Sequence, residues 1–280
     1  MLHWEEDVIP MINTTSNSRD VALISVAWDS GARSGELQNL TIGSINDHRH
    51  CLQITVNGKM DQRTVMLVTS IPYLTKWLDD HPAPEEPSAP LWSKLGEAED
   101  MSYQMFAKIF KWAGKDAGIN NPVTPTNFRK SSASHLASQN VNQAHLEDLH
   151  GWKRGSDIAP RYISVFSQDT DREIARAHGA EIEEEQESDP IAPVDCPRCS
   201  KETPRDKSFC VWCHQAISPE AVEELRQQER NVRDSILKIV RNDPSLLDDI
   251  EKYQTVMNIL EDDPALYEDA ESFLQALGES

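Results

Sequence analysis

A proline-containing loop and a pair of adjacent cations occupy residues 124–130, which read Thr124-Pro125-Thr126-Asn127-Phe128-Arg129-Lys130. Hydroxyl side chains are available to cap a helix here, and apolar residues then recur at helical spacing at Phe128, Ala133, Leu136 and Ala137. The sequence therefore predicts a helix that starts near Pro125. Two cations beside the positive end of a helix could seat a phosphate, although such a pair more often faces solvent.

A basic loop and a lone tyrosine follow this helix. The loop reads Gly151-Trp152-Lys153-Arg154-Gly155-Ser156, and the tyrosine is Tyr162. Two more basic residues lie upstream, Arg33 after a glycine and Lys59 directly after a hairpin turn. Each of these two has a simpler explanation when taken alone. Arg33 could pair with Glu36 at spacing three, and a lysine at a hairpin tip could merely solubilise the surface.

The order of these residues resembles that of the tyrosine recombinase (phage integrase) family. The catalytic domain of that family carries Arg, Lys, His-x-x-Arg-His, Gly-His or Gly-Trp, and Tyr in this order, and the resemblance runs over roughly residues 15–175. Together with the cysteine-rich tail, the local sequence is most similar to integrases of halophilic archaea. The resemblance implies a catalytic set, Arg33, Lys59, Arg129, Trp152 and Tyr162, and a supporting set, Glu36, Thr126 and Lys130.

The resemblance implies an enzyme that cuts and rejoins double-stranded DNA at specific sites. Tyr162 would attack the phosphorus, form a 3′-phosphotyrosine intermediate and release a 5′-hydroxyl. Arg33 and Arg129 would hold the phosphate oxygens, with the indole N–H of Trp152 as a further donor. Lys59 would protonate the leaving oxygen as general acid. Catalysis would need no cofactor, and we expect a homo-oligomer on the DNA.

The chain departs from the family pattern in several places. Thr126 stands where the family usually has histidine, and a hydroxyl cannot act as a general base near neutral pH. Lys130 replaces the second histidine of that motif, which keeps the charge and loses an acceptor. We also expect the catalytic domain to begin almost at Met1, without the N-terminal helical domain that usually clamps DNA. These differences leave two alternatives open. One is a catalytically weak relative that regulates by binding DNA or protein through its tail and through a zinc ribbon formed by Cys196, Cys199, Cys210 and Cys213; the other is an unrelated helical zinc protein.

The formal net charge of −20 is unevenly distributed along the chain. Residues 1–180 hold 17 Lys and Arg against 22 Asp and Glu, a net charge of −5, whereas residues 181–280 hold 10 against 25, a net charge of −15. DNA-binding proteins are usually basic, so the overall charge argues against such a role. In near-molar salt the Debye length falls to roughly 3 Å, and distant acidic charges would be screened. The composition is therefore compatible with DNA binding under halophilic conditions.

Two C-x2-C pairs follow an acidic segment that starts at Glu181. The four cysteines are Cys196, Cys199, Cys210 and Cys213. Paired thiolates suit tetrahedral zinc, and a span this short cannot hold a core of its own, so the metal should supply its folding energy. Because protein ligands fill all four positions, the sequence predicts one structural zinc ion. Disulfides are the alternative, but no secretion signal is present, which favours a reducing compartment.

The sheet and the core are predicted from apolar spacing. A hairpin turns at Asn57-Gly58, with Leu52, Ile54 and Val56 in one strand and Thr64, Met66 and Val68 in the other. Residues 102–118 predict a helix that buries Tyr103, Phe106, Ile109, Phe110 and Ala113. Helices are also predicted for residues 20–30, 71–80 and 141–150.

These elements predict an α+β fold with a mostly helical catalytic domain, a small antiparallel sheet, a zinc ribbon and an acidic helical tail. The expected boundaries are residues 1–178 for the catalytic domain, 179–194 for an acidic linker, 195–215 for the zinc ribbon and 216–280 for the tail. The tail could contact another protein, dimerise or simply be solvated. No apolar run of about eighteen residues exists, so we expect a cytoplasmic protein without a membrane span.

Overall fold

The structure, a computed structural model of the 280-residue chain, describes residues 1–48, 51–58, 62–163, 178 and 190–242. It separates into two units, Met1–Ile191 and Ala192–Ser280. Lys59, most of the predicted acidic linker and the predicted tail beyond Asn242 lie outside the described residues. None of the helices that the structure describes has the length and apolar character needed to cross a membrane.

Helices form most of the first unit, which opens with a π-helical turn, Trp4–Val8. The helices are α1 (Ile9–Thr14), α2 (Ser18–Ser30), α3 (Ser34–Gln38), α4 (Ile71–Asp80), α5 (Tyr103–Asp116), α6 (Pro125–Ser138), α7 (Gln143–His150) and α8 (Ile158–Ile163). Most of α2 is buried, in keeping with its apolar sequence. It ends where Gly31 adopts a left-handed φ of 54°, a conformation that glycine reaches without steric cost.

A three-stranded antiparallel sheet completes the first unit, in the order β1-β2-β3. Its strands are β1 (Ile45–His48), β2 (Cys51–Asn57) and β3 (Gln62–Leu67), and a separate hairpin pairs β4 (Ser93–Lys94) with β5 (Glu97–Asp100). The pairing of β2 with β3 follows the prediction, but Asn57 pairs with Gln62, so the connection is longer than a two-residue turn. The predicted α+β class, mostly helical with a small antiparallel sheet, is confirmed.

The inward face of β3 differs from the expected one. Val65 and Leu67 are fully buried, whereas Thr64 and Met66 are not. Side chains alternate between the two faces of a strand, so Arg63 lies on the same face as Val65 and Leu67. The true phase of the strand therefore turns an arginine toward the interior.

Aromatic side chains link α5 to α6 in the core. The Phe110 ring lies 5.5 Å from that of Phe106 and 5.2 Å from that of Phe128, in edge-to-face arrangements. The expected core positions of α5 are buried, except that Tyr103 is 54% exposed. Tyr103 occupies the first helical position and stacks on Phe106 at 6.3 Å from the edge of the core, which is why helical spacing alone misplaced it.

A partly buried carboxylate, that of Asp29, joins the end of α2 to the start of α4. Asp29 accepts hydrogen bonds from the backbone N–H groups of Val68 and Ser70 and from the Ser70 hydroxyl, at 2.8–2.9 Å. Burial raises the pKa of Asp29, and these hydrogen bonds act in the opposite direction. The contact fixes the end of α2, from which the loop to Arg33 departs.

The second unit is small in its described part. Strands β6 (Val194–Asp195) and β7 (Glu202–Thr203) pair antiparallel, and a long helix, α9 (Pro219–Asn242), follows. The two C-x2-C pairs lie between β6 and α9 in the chain.

Candidate active site and cysteine cluster

The carboxyl end of α7 forms the centre of the candidate active site. Gly151 follows the helix with a left-handed φ of 59°, and the N–H groups of Gly151 and Trp152 bond back to the oxygens of Asp148 and Glu147. A helix that ends in this way leaves its last carbonyl oxygens without intrahelical partners. The oxygens at positions 149–151 are therefore available to other donors.

Three arginines from three different elements each bind one of these oxygens. They are Arg33 at the start of α3, Arg63 in β3 and Arg129 in α6, and we refer to them as the arginine cluster. The contacts join Arg63 Nε to the Leu149 oxygen at 2.9 Å, Arg129 Nη2 to the His150 oxygen at 2.5 Å and Arg33 Nη2 to the Gly151 oxygen at 3.1 Å. Elements distant in sequence thus converge on one turn.

Glu36 supplies the negative charge between two members of the cluster. Its carboxylate oxygens accept from Arg63 at 3.0 and 2.8 Å, and one of them also accepts from Arg33 at 2.7 Å. The Glu36 residue is 7% exposed. Burial acts to raise the pKa of Glu36, but the hydrogen bonds from Arg63 and Arg33 outweigh it and lower the pKa to about 2. Glu36 is therefore ionised at neutral pH.

Arg129 reaches the cluster from the helix that the sequence predicted. Thr124 caps this helix, because its side-chain oxygen accepts the N–H of Asn127. Arg129 Nη1 also donates to the Gly31 oxygen at 2.8 Å, which ties α6 to the loop after α2. Burial, followed by repulsion from Arg33, lowers the pKa of Arg129 to about 10, and the guanidinium stays charged at neutral pH.

Tyr162 belongs to a stack of three aromatic rings. Its ring lies nearly parallel to that of Trp152, with centroids 5.4 Å apart and planes at 8°, and the ring of His150 lies 4.7 Å from that of Trp152. The Arg129 guanidinium is 5.6 Å from the Trp152 ring. Within the described ranges, the indole N–H of Trp152 has no hydrogen-bond partner. The stack places the tyrosine beside the cluster and leaves an indole donor available.

His150 is a buried, neutral member of this stack. Its Nδ1 lies 3.1 Å from the Leu146 carbonyl oxygen, which can only accept, so Nδ1 carries the proton. Burial, followed by the charge of Arg129, lowers the pKa of His150 to about 3. Nε2 is buried and has no partner among the described residues. A Cβ on Gly31 would lie 2.7 Å from Nε2, so only glycine fits at this point of the loop.

The site carries more positive than negative charge. Among the residues described, Arg33 and Arg63 donate to one ionised carboxylate, that of Glu36, and Arg129 donates to backbone carbonyl oxygens such as that of Gly31. The Arg33 side chain is 48% exposed and has donors left for a ligand. Guanidinium groups bind phosphate oxygens well because their planar fork matches the geometry of these oxygens. The arrangement can therefore bind a phosphate group beside Tyr162.

The structure brings most of the sequence-predicted site residues together. Those in the connected set of contacts are Arg33, Glu36, Arg129, Trp152 and Tyr162. Thr126 and Lys130 lie on the exposed side of α6. Lys59 falls outside the described residues, so its predicted place at the site stays a prediction.

Sequence reasoning missed two residues of this site, Arg63 and His150. Arg63 was overlooked because the expected phase of β3 turned it outward. An arginine on the buried face, with Val65 and Leu67 following at spacing two, is the signal that could have found it. His150 is the last residue of a helix, where a histidine usually complements the helix dipole and attracts no further attention.

The four cysteines form one cluster, with all Sγ atoms within 4.8 Å of one another. The Sγ–Sγ distances are 3.6 Å for Cys196–Cys213 and 3.7 Å for Cys199–Cys210. A tetrahedron with Zn–S bonds of about 2.3 Å has edges of about 3.8 Å, whereas sulfurs in a disulfide are about 2.05 Å apart. All four thiols are free in the structure, and their spacing suits a tetrahedral metal ion better than a disulfide.

The two cysteine pairs have matching backbone geometry. Arg198 donates its N–H to Cys196 Sγ, and Trp212 donates its N–H to Cys210 Sγ, each at 3.4 Å. The residues after the second cysteine of each pair are Ser200 and His214, with left-handed φ values of 57° and 56°. N–H groups directed at sulfur stabilise the thiolate, which is the form that binds metal.

Comparison with known proteins gives consistent matches. The chain matches the model of the phage integrase family over residues 4–169. It is 25% identical over 156 residues to tyrosine recombinase XerD of Listeria monocytogenes serotype 4b (strain F2365), covering 52% of each chain. It is 27% identical over 141 residues to tyrosine recombinase XerC of Escherichia coli O1:K1 / APEC, covering 50% of this chain and 47% of XerC. The chain thus spans about half the length of the curated relatives it matches.

The fold is shared with solved recombinase structures. The crystal structure of XerA recombinase superposes with a TM-score of 0.51 at 21% sequence identity, covering 65% of this chain and 64% of XerA. At this identity the likeness concerns the fold alone.

Proposed function

The chain belongs to the phage integrase family, and we propose that it is a site-specific DNA recombinase that cuts and rejoins strands through a phosphotyrosine intermediate. The observation that carries the proposal is the meeting of Arg33, Arg129, Trp152 and Tyr162 at the carboxyl end of α7. An exposed guanidinium, a second arginine and a tyrosine at one turn are the groups that such a reaction requires. The relatives it matches are named tyrosine recombinases, which supports the same reaction class.

Tyr162 is the proposed nucleophile. Its phenolic oxygen bonds to phosphorus while the bond from phosphorus to the 5′ oxygen of the next nucleotide breaks, which leaves a 3′-phosphotyrosine. The phenolic proton passes to water, and the departing oxygen takes a proton from Lys59, the proposed general acid. Attack of a 5′-hydroxyl on the phosphotyrosine reverses these steps and rejoins the strand.

Arg33 and Arg129 are the proposed ligands of the non-bridging phosphate oxygens. Phosphoryl transfer depends mainly on stabilising the charge on these oxygens, and fixed donors do this without reorganisation. The indole N–H of Trp152 adds a neutral donor. Thr126 and Lys130, both exposed on α6, are suited to support the DNA backbone by a hydrogen bond and by charge.

Helix α5 offers a further surface suited to DNA. Its exposed side carries Lys111 and Lys115, with Lys108 beside the exposed indole of Trp112. The Lys108 ammonium lies 5.9 Å from the Trp112 ring. Lysines neutralise backbone phosphates, and an exposed aromatic ring adds apolar contact. Such a basic face on a chain with a net charge of −20 supports a polyanionic partner.

We also propose that the cysteine cluster binds one structural zinc ion. Four thiolates would complete a tetrahedral shell and leave no open position, so the ion would hold the second unit together and take no part in strand cleavage. Thr203 Oγ1 donates to Cys210 Sγ at 3.3 Å, which supports an anionic ligand at that position.

Several further features stay predictions. They are assembly as a homo-oligomer on double-stranded DNA, a protein contact through the acidic tail, a cytoplasmic location and the kinship with halophilic archaeal integrases. The boundaries of the catalytic domain, linker, ribbon and tail at residues 178, 194 and 215 are likewise predictions.

The test of the proposed reaction is capture of the covalent intermediate. A pool of nicked duplexes with randomised sequence, incubated with the protein in high salt, loses the short fragment after cleavage and traps the intermediate. We expect a slowly migrating protein–DNA band on a denaturing gel for the wild type and none for Tyr162→Phe, because phenylalanine has no attacking oxygen. Tyr103→Phe is the matched control and should keep the band.

The same experiment also shows which result would contradict the proposed reaction. DNA binding by the wild type without any covalent band would contradict the proposed reaction. That result would favour a regulator that binds DNA without cutting it.

A further inference from the structure

We propose that Arg63 is a positioning residue of the active site, which acts through Glu36 and the Leu149 oxygen to hold Arg33 and the turn before Trp152 in place. This inference rests on the proposed function and deepens it. Arg63 is not part of the residue set that the family resemblance implies, and only the phase of β3 brings it to the site.

All three nitrogens of the Arg63 guanidinium donate hydrogen bonds. Nη1 and Nη2 bind the two oxygens of Glu36 at 3.0 and 2.8 Å, and Nε binds the Leu149 oxygen at 2.9 Å. The side chain is 13% exposed. Three of its five N–H groups are thus engaged, and the side chain is much less exposed than that of Arg33, which is 48% exposed. We therefore expect Arg63 to act on the reaction through its partners and not by binding phosphate.

The first of these partners is Glu36, which Arg63 shares with Arg33. Oε1 of Glu36 accepts from both arginines, at 3.0 Å from Arg63 and at 2.7 Å from Arg33. With Arg63 removed, Arg33 would become the main counterion of a buried carboxylate. A guanidinium drawn onto that carboxylate has fewer donors for a phosphate. Arg63 thus offsets the charge of Glu36 and leaves Arg33 available.

The second partner is the turn after α7. Arg63 Nε holds the Leu149 oxygen, and a Cβ on Gly151 would lie 2.9 Å from Arg63 Nη1. The guanidinium therefore packs directly against the residue that precedes Trp152. Trp152 in turn stacks on Tyr162. Arg63 of β3 therefore helps to position the proposed nucleophile through Gly151 and Trp152.

A second buried arginine provides a matched control. Arg19 is 4% exposed, pairs with Asp20 at 2.7 Å and donates to the Ser93 oxygen at 2.9 Å. It has the same kinds of partner as Arg63, a carboxylate and a backbone carbonyl, but these partners lie outside the arginine cluster. Loss of Arg19 therefore measures the general effect of deleting a buried, paired arginine.

The first measurement separates binding from chemistry for Arg63→Gln and Arg19→Gln. In single turnover with saturating protein, we expect Arg63→Gln to form the covalent complex about 100-fold more slowly, because small displacements of positioned groups have effects of this size. Its affinity for DNA should stay within about threefold of wild type, since Arg63 does not contact phosphate. Arg19→Gln should leave both quantities within about threefold.

The pH profile adds a signature that general destabilisation does not produce. Glu36 faces Arg33 from its own element, Arg63 from β3 and Arg129 from α6. Burial raises the pKa of Glu36 and the nearby arginines lower it. Without Arg63 this lowering is weaker, so Glu36 should take up a proton at a higher pH than in the wild type. As the pH is lowered, we expect the cleavage rate of Arg63→Gln to begin to fall at a higher pH than the wild-type rate, because the pKa of Glu36 in the wild type is held at about 2.

The second measurement does not depend on activity. Hydrogen–deuterium exchange of the peptide that covers residues 149–156 should be about tenfold faster in Arg63→Gln and unchanged in Arg19→Gln. Arg63→Lys keeps the charge but not the fork, and it should lie between wild type and Arg63→Gln. It replaces Arg63→Gln in both measurements if that variant does not fold.

The outcomes are distinguishable. A wild-type cleavage rate, or wild-type protection of residues 149–156, in the Arg63 variants would overturn the positioning role. A wild type that forms no covalent complex would overturn the proposed function instead, and the exchange measurement alone would then decide the role of Arg63.

Discussion

Glu36 is a buried acid whose charge depends on two arginines, and this makes its contribution to stability dependent on pH. Its pKa in the folded chain is about 2, against an ordinary value of 4.5. The folded state therefore releases this proton more readily than the unfolded state does. The stabilising contribution is fully present above the ordinary value and is lost as the pH falls toward 2.

We predict that Glu36→Gln lowers the free energy of unfolding at pH 7 by about 2 kcal/mol, allowing for partial solvent screening. The difference from wild type should shrink as the pH falls from 4.5 toward 2, because wild-type Glu36 becomes protonated there. Urea unfolding followed by tryptophan fluorescence at several pH values measures this. Glu99→Gln, which breaks the exposed pair with Lys94, is the control and should change nothing measurable. A pH-independent deficit in Glu36→Gln would contradict the argument.

In the turn after α7, both the backbone conformation and the packing of Arg63 restrict position 151 to glycine. Gly151 has a left-handed φ, and a Cβ there would meet Arg63 Nη1 at 2.9 Å and its Cζ at 3.1 Å. Arg63 cannot simply swing away, because Glu36 and the Leu149 oxygen hold its guanidinium. The cost of a side chain at this position thus has a conformational part and a packing part.

Gly118→Ala separates these two parts. Gly118 has a φ of 69°, and no atom lies within 4 Å of the position that a Cβ would take there, so alanine should cost only the backbone preference. That preference is about 1–2 kcal/mol. We predict that Gly151→Ala costs at least about 1 kcal/mol more than Gly118→Ala, since Arg63 must move as well. It should also slow strand cleavage. Equal losses of unfolding free energy for the two variants, measured in denaturant, would argue against a rigid Arg63.

The two cysteine pairs are elements whose folding should depend on metal. We predict that the purified chain carries about one zinc ion by mass spectrometry, and that Cys199→Ser loses most of it. A strong chelator should then remove the exchange protection of residues 194–217, because a span this short has little core of its own. Lys201→Ala, which removes a cation 4.0 Å from the Trp212 ring, is the control and should keep the metal. Full protection without metal would contradict a structural role.

Across the whole molecule, periodic apolar segments were predictable, and features that depend on tertiary pairing were not. Helix α2 was predicted from a nearly continuous apolar run and helix α5 from apolar residues at helical spacing. Strand β1 was missed because Ile45-Asn46-Asp47-His48 is mostly polar and forms only by pairing with β2. The site residues that the family order implies could be named in advance. Arg63 was missed, because a shift of one residue in strand phase exchanges the inner and outer faces.

The molecule also concentrates opposite charges in different places. Its net charge is −20, yet the arginine cluster and the lysines of α5 present positive charge in the first unit. A total charge averages over the chain, whereas binding of a phosphate depends on the groups within a few ångströms. The net charge alone is therefore a weak argument against DNA, the proposed partner.

Apart from the Glu36 carboxylate, the acceptors of the arginine cluster described here are peptide oxygens, and this affects which substitutions the site can tolerate. A peptide oxygen is present whatever side chain the residue carries, so replacing Leu149 with a residue of similar shape leaves its contact to Arg63 intact. A single substitution at any of the three arginines, in contrast, removes the guanidinium and its planar set of donors. The residues that supply peptide oxygens can therefore be substituted within the limits of packing, whereas the arginines that donate to them cannot.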